Sequence, residues 1–424
     1  MENELASTRA IAEHLRGLGY ALVQTEARLP DAPRLRVDVL AWAPDDTGEL
    51  VPRLAIEIKH TQRPESALPL LAQVRASLGT VEHYAVTNEA WFRAGYGLRT
   101  LEQVPGPSPL TGRLGGELKS VHLATELLQQ RIWKNANRRE QDGELGRFVD
   151  AVSVDSNQAI IETANGDVVA VDPTVLWRAR RAVLADMAER DRFASFFVSP
   201  PAVSVAIASL AGNRLGGTVL DPFCGSGSFL WALQERATHE GRMIEAIGRD
   251  VNPSVIKAAS LIGQTAPTKI VFDAGDAFAT ALPRADVIVT APPMGLRLGE
   301  PYELQIGTST RHADIAAVDV CLRALKPGGR AVFQLAPHIA FQAQAETYRE
   351  YLAKEYRVAA LIGCPSGSAY GTKIQTVLMV VDKAPAGDTF VAQLSADWET
   401  QLAPTGPAMA SALAHIDGIT NGAR

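Results

Sequence analysis

The chain has 424 residues, 46% of them hydrophobic and 21% charged, which excludes a disordered or fibrous chain and gives room for two or three domains. A formal net charge of -6 excludes a generally basic nucleic-acid coat, so a nucleic-acid partner would be held by a local patch. Cys224, Cys321 and Cys364 stand far apart without a Cys-x-x-Cys pair, and no stretch approaches the roughly 20 apolar residues that span a bilayer. A cytoplasmic chain without disulfides, secretory signal or membrane partner is the expectation.

In chain order, residues 2 to 16 read as an amphipathic helix with Leu5, Ile11, Ala12 and Leu15 on one face, ended by Gly17 and Gly19. Strand-like runs at 35–42 and 54–58 follow, divided by a polar turn through Pro44, Asp45, Asp46 and Gly48. A helix at 67–78 and a strand at 83–86 complete a small α/β unit over 1–110, bounded by the Pro- and Gly-rich run VPGPSPLTGRLGG. Residues 111–192 read as a helical connector with a β-hairpin whose turn is Asn165-Gly166. From 193 to 384, short apolar runs alternate with helix-like stretches: TVLDPF, EAIGRDV, IVFDAGDA, DVIVTAPP, GRAVFQLAP and QTVLMVVDK. That pattern predicts an α/β, doubly wound, Rossmann-like domain with a parallel sheet covered on both faces. The tail, 385–424, is richer in Ala, Pro and Thr and offers no site.

Within the first unit, Asp38 lies in RVDVLAW, and LAIEIKH sets Glu57 and Lys59 on one face of the next strand, since strand side chains alternate. Taken alone, Glu-Ile-Lys is an ordinary amphipathic strand. An Asp followed by Glu-x-Lys on the neighbouring strand resembles the PD-(D/E)xK nuclease fold. That resemblance implies Mg²⁺ held by Asp38 and Glu57, with Lys59 orienting the attacking water. The stretch Gly17 to Tyr20, Gln73 in LLAQVRASL and YAVTNEAWF at 84–92 resemble the N-terminal domain of type I restriction subunits. In such a fold Glu4 or Glu13 would add a helix carboxylate, and without cleavage the domain would still serve as a nucleic-acid docking module.

In VLDPFCGSGSFL a strand ends at Asp221, a turn holds Gly225 and Gly227, and a helix begins near Ser228. Glycines there let backbone approach a ligand, and the helix start offers free N–H groups. The third glycine of the dinucleotide fingerprint is missing. D-P-F-C-G-S-G resembles the first motif of the adenine-N6 and related amino-group DNA methyltransferases, which bind S-adenosylmethionine. The resemblance spans about 193–383 and, through LKPGGRAVFQLAP and LIGCPSGSAYGTKIQTVLMVVDK, is strongest to the modification subunit of type I restriction–modification systems. It implies a class I methyltransferase-like domain with Asp221, Pro222, Phe223, Gly225 and Gly227 at the cofactor. Ser199 and Pro200, in SFFVSPPAV, would close over it. Asp250, in GRDVNP, would take the ribose hydroxyls, and Asp276 with Ala277, in GDAF, the adenine. Asp250 alone would be a turn residue or helix cap; in register with the other motifs it reads as the acid that selects a ribose.

The family's fourth strand ends in Asn, Asp or Ser, then Pro-Pro and an aromatic residue. The adenine amine is a poor nucleophile, so a side-chain oxygen and a carbonyl accept its hydrogens while the aromatic ring stacks on the extruded base. Here Ala291, Pro292, Pro293 and Met294 stand in those places. Alanine accepts nothing, and methionine contacts a ring more softly. Loss of such a group costs roughly 100-fold or more in rate, unless Thr290 substitutes or the substrate differs. DNA contacts are expected from the basic runs RIWKNANRR at 131–139, with Trp133 for stacking, and RARR at 178–181. About 40 residues follow Lys383, too few for a target-recognition domain, so specificity is expected from a separate specificity or system subunit. The expectation is thus a restriction–modification-like DNA methyltransferase homologue with weakened or lost transfer. The alternative is a non-catalytic, S-adenosylmethionine-sensing DNA-binding or nuclease subunit of a defence system.

Overall fold

Apolar residues at helical spacing turn α1 (Glu2–Gly17) onto a sheet, burying Ile11, Ala12 and Leu15. In this computed structural model the described residues are all but 1, 30, 60–62, 88–89, 112–113, 136–142, 154–158, 191–196, 338, 340–344, 371–372 and 419–424. They group into two units, Met1–Asn137 with Val154–Arg180, and Arg138–Ser153 with Arg181–Arg424.

The sheet of the first unit begins as an antiparallel meander of β1 (Leu22–Leu29), β2 (Ala32–Pro44) and β3 (Leu50–Ile58). The helix α2 (Leu68–Leu78) then carries the chain over to β4 (Glu82–Thr87), which pairs parallel with β3. β5 (Ala90–Ala94) and β6 (Leu101–Val104) extend the sheet antiparallel, in the order β1-β2-β3-β4-β5-β6. Val39, Leu54, Ile56 and Tyr84 form its core under α1. The sequence pattern leaves β1, β5 and β6 unmarked, because their residues are too polar or too exposed to alternate cleanly.

Next come β7 (Glu117–Leu118), α3 (Val121–Asn135), α4 (Gly143–Ser153), β8 (Ile160–Glu162), β9 (Val168–Val171) and α5 (Pro173–Arg190). β8 and β9 form the expected antiparallel hairpin around Asn165-Gly166, and β7 joins β9 in parallel. Arg16 of α1 grips the buried Asp167 with two hydrogen bonds of 2.5 and 3.1 Å, which ties the hairpin to the first helix.

The second unit is wound on one sheet. Its elements run α6 (Pro201–Leu210), β10 (Gly217–Asp221), α7 (Ser228–His239), β11 (Ile244–Asp250), α8 (Pro253–Gly263), β12 (Ile270–Ala274) and β13 (Ala285–Thr290). A hairpin of β14 (Arg297–Glu303) and β15 (Ser309–His312) leads to α9 (Ala313–Ala324) and β16 (Leu325–Leu335). After the helix Glu346–Glu355 come β17 (Arg357–Cys364), β18 (Thr376–Asp382) and β19 (Phe390–Gln393), then the helices Trp398–Leu402 and Pro407–Asp417. Strand order is β12-β11-β10-β13-β16-β18-β17-β19.

The five strands from β12 to β16 are parallel, as the apolar runs predict, but the sheet as a whole is mixed. β18 runs antiparallel to both β16 and β17. A parallel return needs a crossover, usually a helix, and no helix is described between Cys364 and Thr376. Burial on both faces makes QTVLMVVDK continuously apolar, so its sequence carries no sign of direction. The residues after 384 add an edge strand and two helices to this unit.

The chain winds outward from β10 through β11 to β12, then returns to the other side of β10 to lay down β13. That reversal opens a crevice outside the carboxyl ends of β10 and β13, where doubly wound sheets take their ligands.

Candidate functional site

Asp221 closes β10 and is 2% exposed, with its Oδ1 accepting the Phe223 N–H at 3.2 Å. Gly225, in the following turn, has φ +52°, and a Cβ there would lie 2.5 Å from the Phe197 carbonyl oxygen. That carbonyl accepts the Ser226 N–H at 2.9 Å, and Ser199 N–H donates to Ser228 Oγ at 3.2 Å. The segment leading to Ser199 and Pro200 therefore sits directly on the glycine turn, and a side chain at 225 would push it away. Pro200 is buried at the start of α6. Ser195 and Phe196 of the same run lie outside the described residues. Gly227, at φ +84°, begins α7, with Trp231 and Phe272 packed where its Cβ would be.

Asp250 ends β11. Its Oδ2 accepts the Gly225 N–H at 3.0 Å and its Oδ1 the Asn252 N–H at 2.8 Å, so Asp250 and the glycine turn form one unit. Asp276 follows β12, is exposed, and accepts the Phe278 N–H through Oδ1 at 2.8 Å, while Ala277 beside it is buried. The structure thus brings Asp221, Phe223, Gly225 and Asp250 together and places Asp276 at the next strand end. Two further residues belong with them. Val251 is 70% exposed directly after Asp250, and Phe278 packs its ring 5.2 Å from Phe223. Sequence shows an apolar residue after each acid but cannot show that Val251 is left open to solvent.

Burial pushes the Asp221 carboxyl up to about 7. The Thr290 hydroxyl and the Phe223 N–H oppose that shift, although no contact of full hydrogen-bond geometry joins Thr290 to the carboxyl. Asp250 is raised as well, by burial, against the Asn252 and Gly225 N–H groups. A carboxyl that holds its proton more tightly when folded favours folding most below its unfolded value, and that contribution is lost as pH rises to about 7. Asp221→Asn should therefore match wild-type stability near pH 4 and exceed it near pH 8 in urea melts of the free protein. A parallel pH dependence in the two proteins would refute this.

On β13, Thr290 is fully buried, with its hydroxyl beside the Asp221 carboxyl. Ala291 is half-buried just beyond the strand, Pro292 buried, Pro293 exposed and Met294 half-buried. The β10–β13 register pairs Leu220 with Ile288, which carries Ala291 to the crevice beside Asp221. No side-chain oxygen or nitrogen is available at residue 291 itself.

In the first unit, Asp38 and Glu57 face each other across β2 and β3, where Val39 pairs with Ile56. Glu57 Oε1 accepts the Asp38 N–H at 3.3 Å, Lys59 Nζ donates to Glu57 Oε2 at 2.7 Å, and Ile58 N–H donates to Asp38 Oδ2 at 2.6 Å. Burial raises the Glu57 carboxyl, Lys59 opposes that, and Asp38 adds to it. Each Glu57 oxygen accepts one hydrogen bond and keeps lone-pair capacity, but no group of three or more His, Cys, Asp or Glu able to hold a metal occurs among the described residues, so Asp38 and Glu57 stand as a pair without a third acidic ligand there. Glu13 is exposed and pairs with Arg9 at 3.2 Å, Gln73 is exposed on α2, and the Glu4 side chain lies outside the described residues.

Among the described residues of the basic runs, Arg131 and Arg180 are buried and so unavailable to phosphates, while Lys134 and Arg181 have partners within the protein. Arg131 is buried against Glu162 at 3.3 Å, and Lys134 bonds the Ala164 carbonyl. Arg180 is 1% exposed, and Arg181 pairs with Glu235 at 3.1 Å. Trp133 and Arg178 remain exposed, and residues 136–139 lie outside the described residues. Charge is legible in a sequence, but its partner is not.

No helix among the described residues is long and apolar enough to cross a membrane. The fold is similar to that of a protein from Listeria monocytogenes provisionally assigned as a class I S-adenosylmethionine-dependent methyltransferase. That match has a TM-score of 0.55 and 14% identity over 70% of this chain and 98% of the other. Two weaker likenesses are to the type I restriction–modification methyltransferase subunit of Streptococcus thermophilus and to a modification subunit of a type I restriction enzyme, so assigned provisionally, from Vibrio vulnificus. The first has a TM-score of 0.46 and 20% identity over 52% of each chain. The second has 0.42 and 15% over 71% of this chain and 83% of the other. The family described as N-6 DNA Methylase matches residues 182–402, just over half of the sequence and all of the strand ends described above, and the chain belongs to that family.

Proposed function

We propose that this chain binds S-adenosylmethionine at the carboxyl edge of its second sheet. We further propose that it is a restriction–modification-like DNA methyltransferase homologue whose adenine-N6 transfer is weakened or lost. One observation carries the reading: the carboxylates of Asp221 and Asp250 at the ends of β10 and β11, and of Asp276 just past β12, stand in order beside β13, which is followed directly by Ala291. The donor chemistry fits the cofactor. Each Asp250 oxygen receives one backbone N–H and keeps lone-pair capacity for a ribose hydroxyl, and exposed Val251 offers an apolar surface next to it. Asp276, on the next strand end, would accept from an adenine amine, and the Ser199–Pro200 backbone would cover the glycine turn. When bound, the cofactor supplies an electrophilic sulfonium methyl.

Calorimetry with S-adenosylmethionine tests the site. Wild type should bind, and Asp250→Ala should bind at least about tenfold more weakly, the cost of one charge-assisted hydrogen bond. Equal binding by the two proteins would remove Asp250 from the site.

The same observation favours a second reading, a non-catalytic S-adenosylmethionine-sensing subunit that associates with DNA. Cofactor binding without any methyl transfer to mixed-sequence DNA supports it, and ready transfer by wild type overturns it. Under either reading the resemblance to type I modification subunits supports DNA as partner, a separate subunit for sequence choice, and a cytoplasmic setting.

For the first unit the proposal is a PD-(D/E)xK-like fold acting as a docking module. Support comes from the three-strand meander, the α2 crossover, the parallel β4, and the meeting of Asp38, Glu57 and Lys59. Because no third acidic ligand joins Asp38 and Glu57 among the described residues, no cleavage step is derived. Wild type and Glu57→Ala should leave supercoiled plasmid equally intact in Mg²⁺; nicking by wild type alone would overturn this.

A further inference from the structure

Asp319 on α9 is shut off from solvent and gathers hydrogen bonds from the turn of the β14–β15 hairpin. Gln305 donates its backbone N–H at 3.1 Å and its side-chain amide at 3.2 Å to Oδ1. The Tyr302 hydroxyl reaches Oδ2 at 3.4 Å, and Arg323 Nε donates to the same oxygen at 2.8 Å. Arg323 also donates to the Glu303 carbonyl at 2.9 Å, with its guanidinium 5.9 Å from the Tyr302 ring centre. One buried carboxylate thereby sets the position of a half-exposed tyrosine on the hairpin that follows Met294.

That ring has neighbours at the crevice. Tyr302 meets Phe278 edge-on at 5.8 Å, and Phe278 meets Phe223 at 5.2 Å. The inner two rings are tied to the strand-end acids, for Phe278 N–H donates to Asp276 and Phe223 N–H to Asp221. All three rings are half-buried, so a row of aromatic surface stands beside two carboxylates. Such a row suits a planar, amine-bearing heterocycle: ring packing supplies area, and an acid accepts from the amine.

We infer that Tyr302, set in place by Asp319, is a positioning residue for the cofactor's adenine, backing the Phe278–Phe223 wall against which that base packs. The inference rests on the S-adenosylmethionine reading above. It also gives a reason why the hairpin after Met294 is anchored at its turn, when its strands are largely exposed.

The test is calorimetric affinity for S-adenosylmethionine, with a thermal melt of each variant. Tyr302→Ala should weaken binding about tenfold, while Tyr302→Phe, which keeps the ring over Arg323, should stay within about threefold of wild type. Asp319→Asn should fall between them. A merely structural role would shift the melt and leave affinity intact, or would lower Ala and Phe variants alike; either result overturns the inference. If Tyr302→Ala does not fold, Tyr302→Leu, which fills the space without a flat ring, carries the same expected loss. Wild-type affinity in Tyr302→Ala together with weakened Asp250→Ala would overturn the wall alone. No cofactor uptake by wild type would overturn the underlying reading and the wall with it.

Discussion

Ala291→Asn combined with Met294→Phe raises methyl transfer to mixed-sequence duplex DNA by about 100-fold or more over wild type, measured as labelled methyl from S-adenosylmethionine. The argument is geometric. Asp221 ends β10 and residue 291 directly follows the neighbouring β13 at the reversal of the sheet, so an Asn side chain at 291 would stand close to the acids proposed to hold the cofactor. Its amide oxygen would accept a hydrogen from the adenine amine, and the Pro292 carbonyl region already has the backbone of the family motif. Thr290 is fully buried beside the Asp221 carboxyl, so the substitution at 291 supplies an acceptor that Thr290 does not expose. The aromatic residue supplies a flat face for an extruded base, which methionine gives only loosely. Asn alone should recover less than the pair, because acceptor and stacking act on one bound base and their effects are not independent. Adding Asp250→Ala to the double variant should remove the gain, which separates restored catalysis from a contaminating activity. A double variant that binds cofactor yet transfers nothing would leave the non-catalytic reading in place.

How much of this was legible beforehand depends on the range of each signal. Strands β10, β11, β12, β13, β16 and β18 announce themselves because each is a short apolar run next to a turn, while the acids at or just past the ends of β10, β11 and β12 are singled out by the motif resemblance. The alternation with helices predicts the winding. It does not predict the antiparallel β18, since a strand buried on both faces looks the same in either direction. Groups assembled from distant segments leave no local trace. Asp319 joins residues 302, 305 and 323, and nothing in RHADIAAVDVCLRAL separates it from an exposed helix residue. Arg131 and Arg180 mislead for the complementary reason. A basic residue in a basic run reads as a solvent-facing charge until its buried position is seen. In the first unit, Asp38 and Glu57 are aligned by strand alternation as the sequence suggests. What the sequence cannot supply is that Lys59 and a backbone N–H already hold the Glu57 oxygens.

Arg330→Ala should destabilise the second unit by about 3–5 kcal/mol, the usual cost of stranding a buried partner charge. For a unit of this size, that loss moves the thermal midpoint by roughly 10 °C. Arg330 is 1% exposed in β16, holds Asp382 through Nε at 2.7 Å and Nη2 at 3.1 Å, and reaches Asp417 through Nη1 at 2.7 Å. It also donates to the Ile416 carbonyl, so a single side chain pins the C-terminal helix Pro407–Asp417 to the centre of the sheet. Arg357 touches Asp382 at 3.3 Å and the same carbonyl at 3.0 Å, which leaves Asp382 partly compensated when Arg330 is removed, while Asp417 keeps the Asn213 N–H at 2.9 Å but no charged partner among the described residues. The larger share of the loss therefore comes from Asp417. Arg330→Ala with Asp417→Ala should then be more stable than Arg330→Ala alone, whereas independent contributions would make the double variant the weaker of the two. High salt should change the cost little, because screening reaches buried pairs poorly. Cofactor binding at 25 °C should survive in whatever fraction stays folded, since Arg330 lies five residues before the carboxyl end of β16, roughly 16 Å along the strand. A variant that melts like wild type but loses S-adenosylmethionine would place Arg330 at the ligand and overturn the proposed division between a crevice that binds cofactor and a far edge that holds the sheet together.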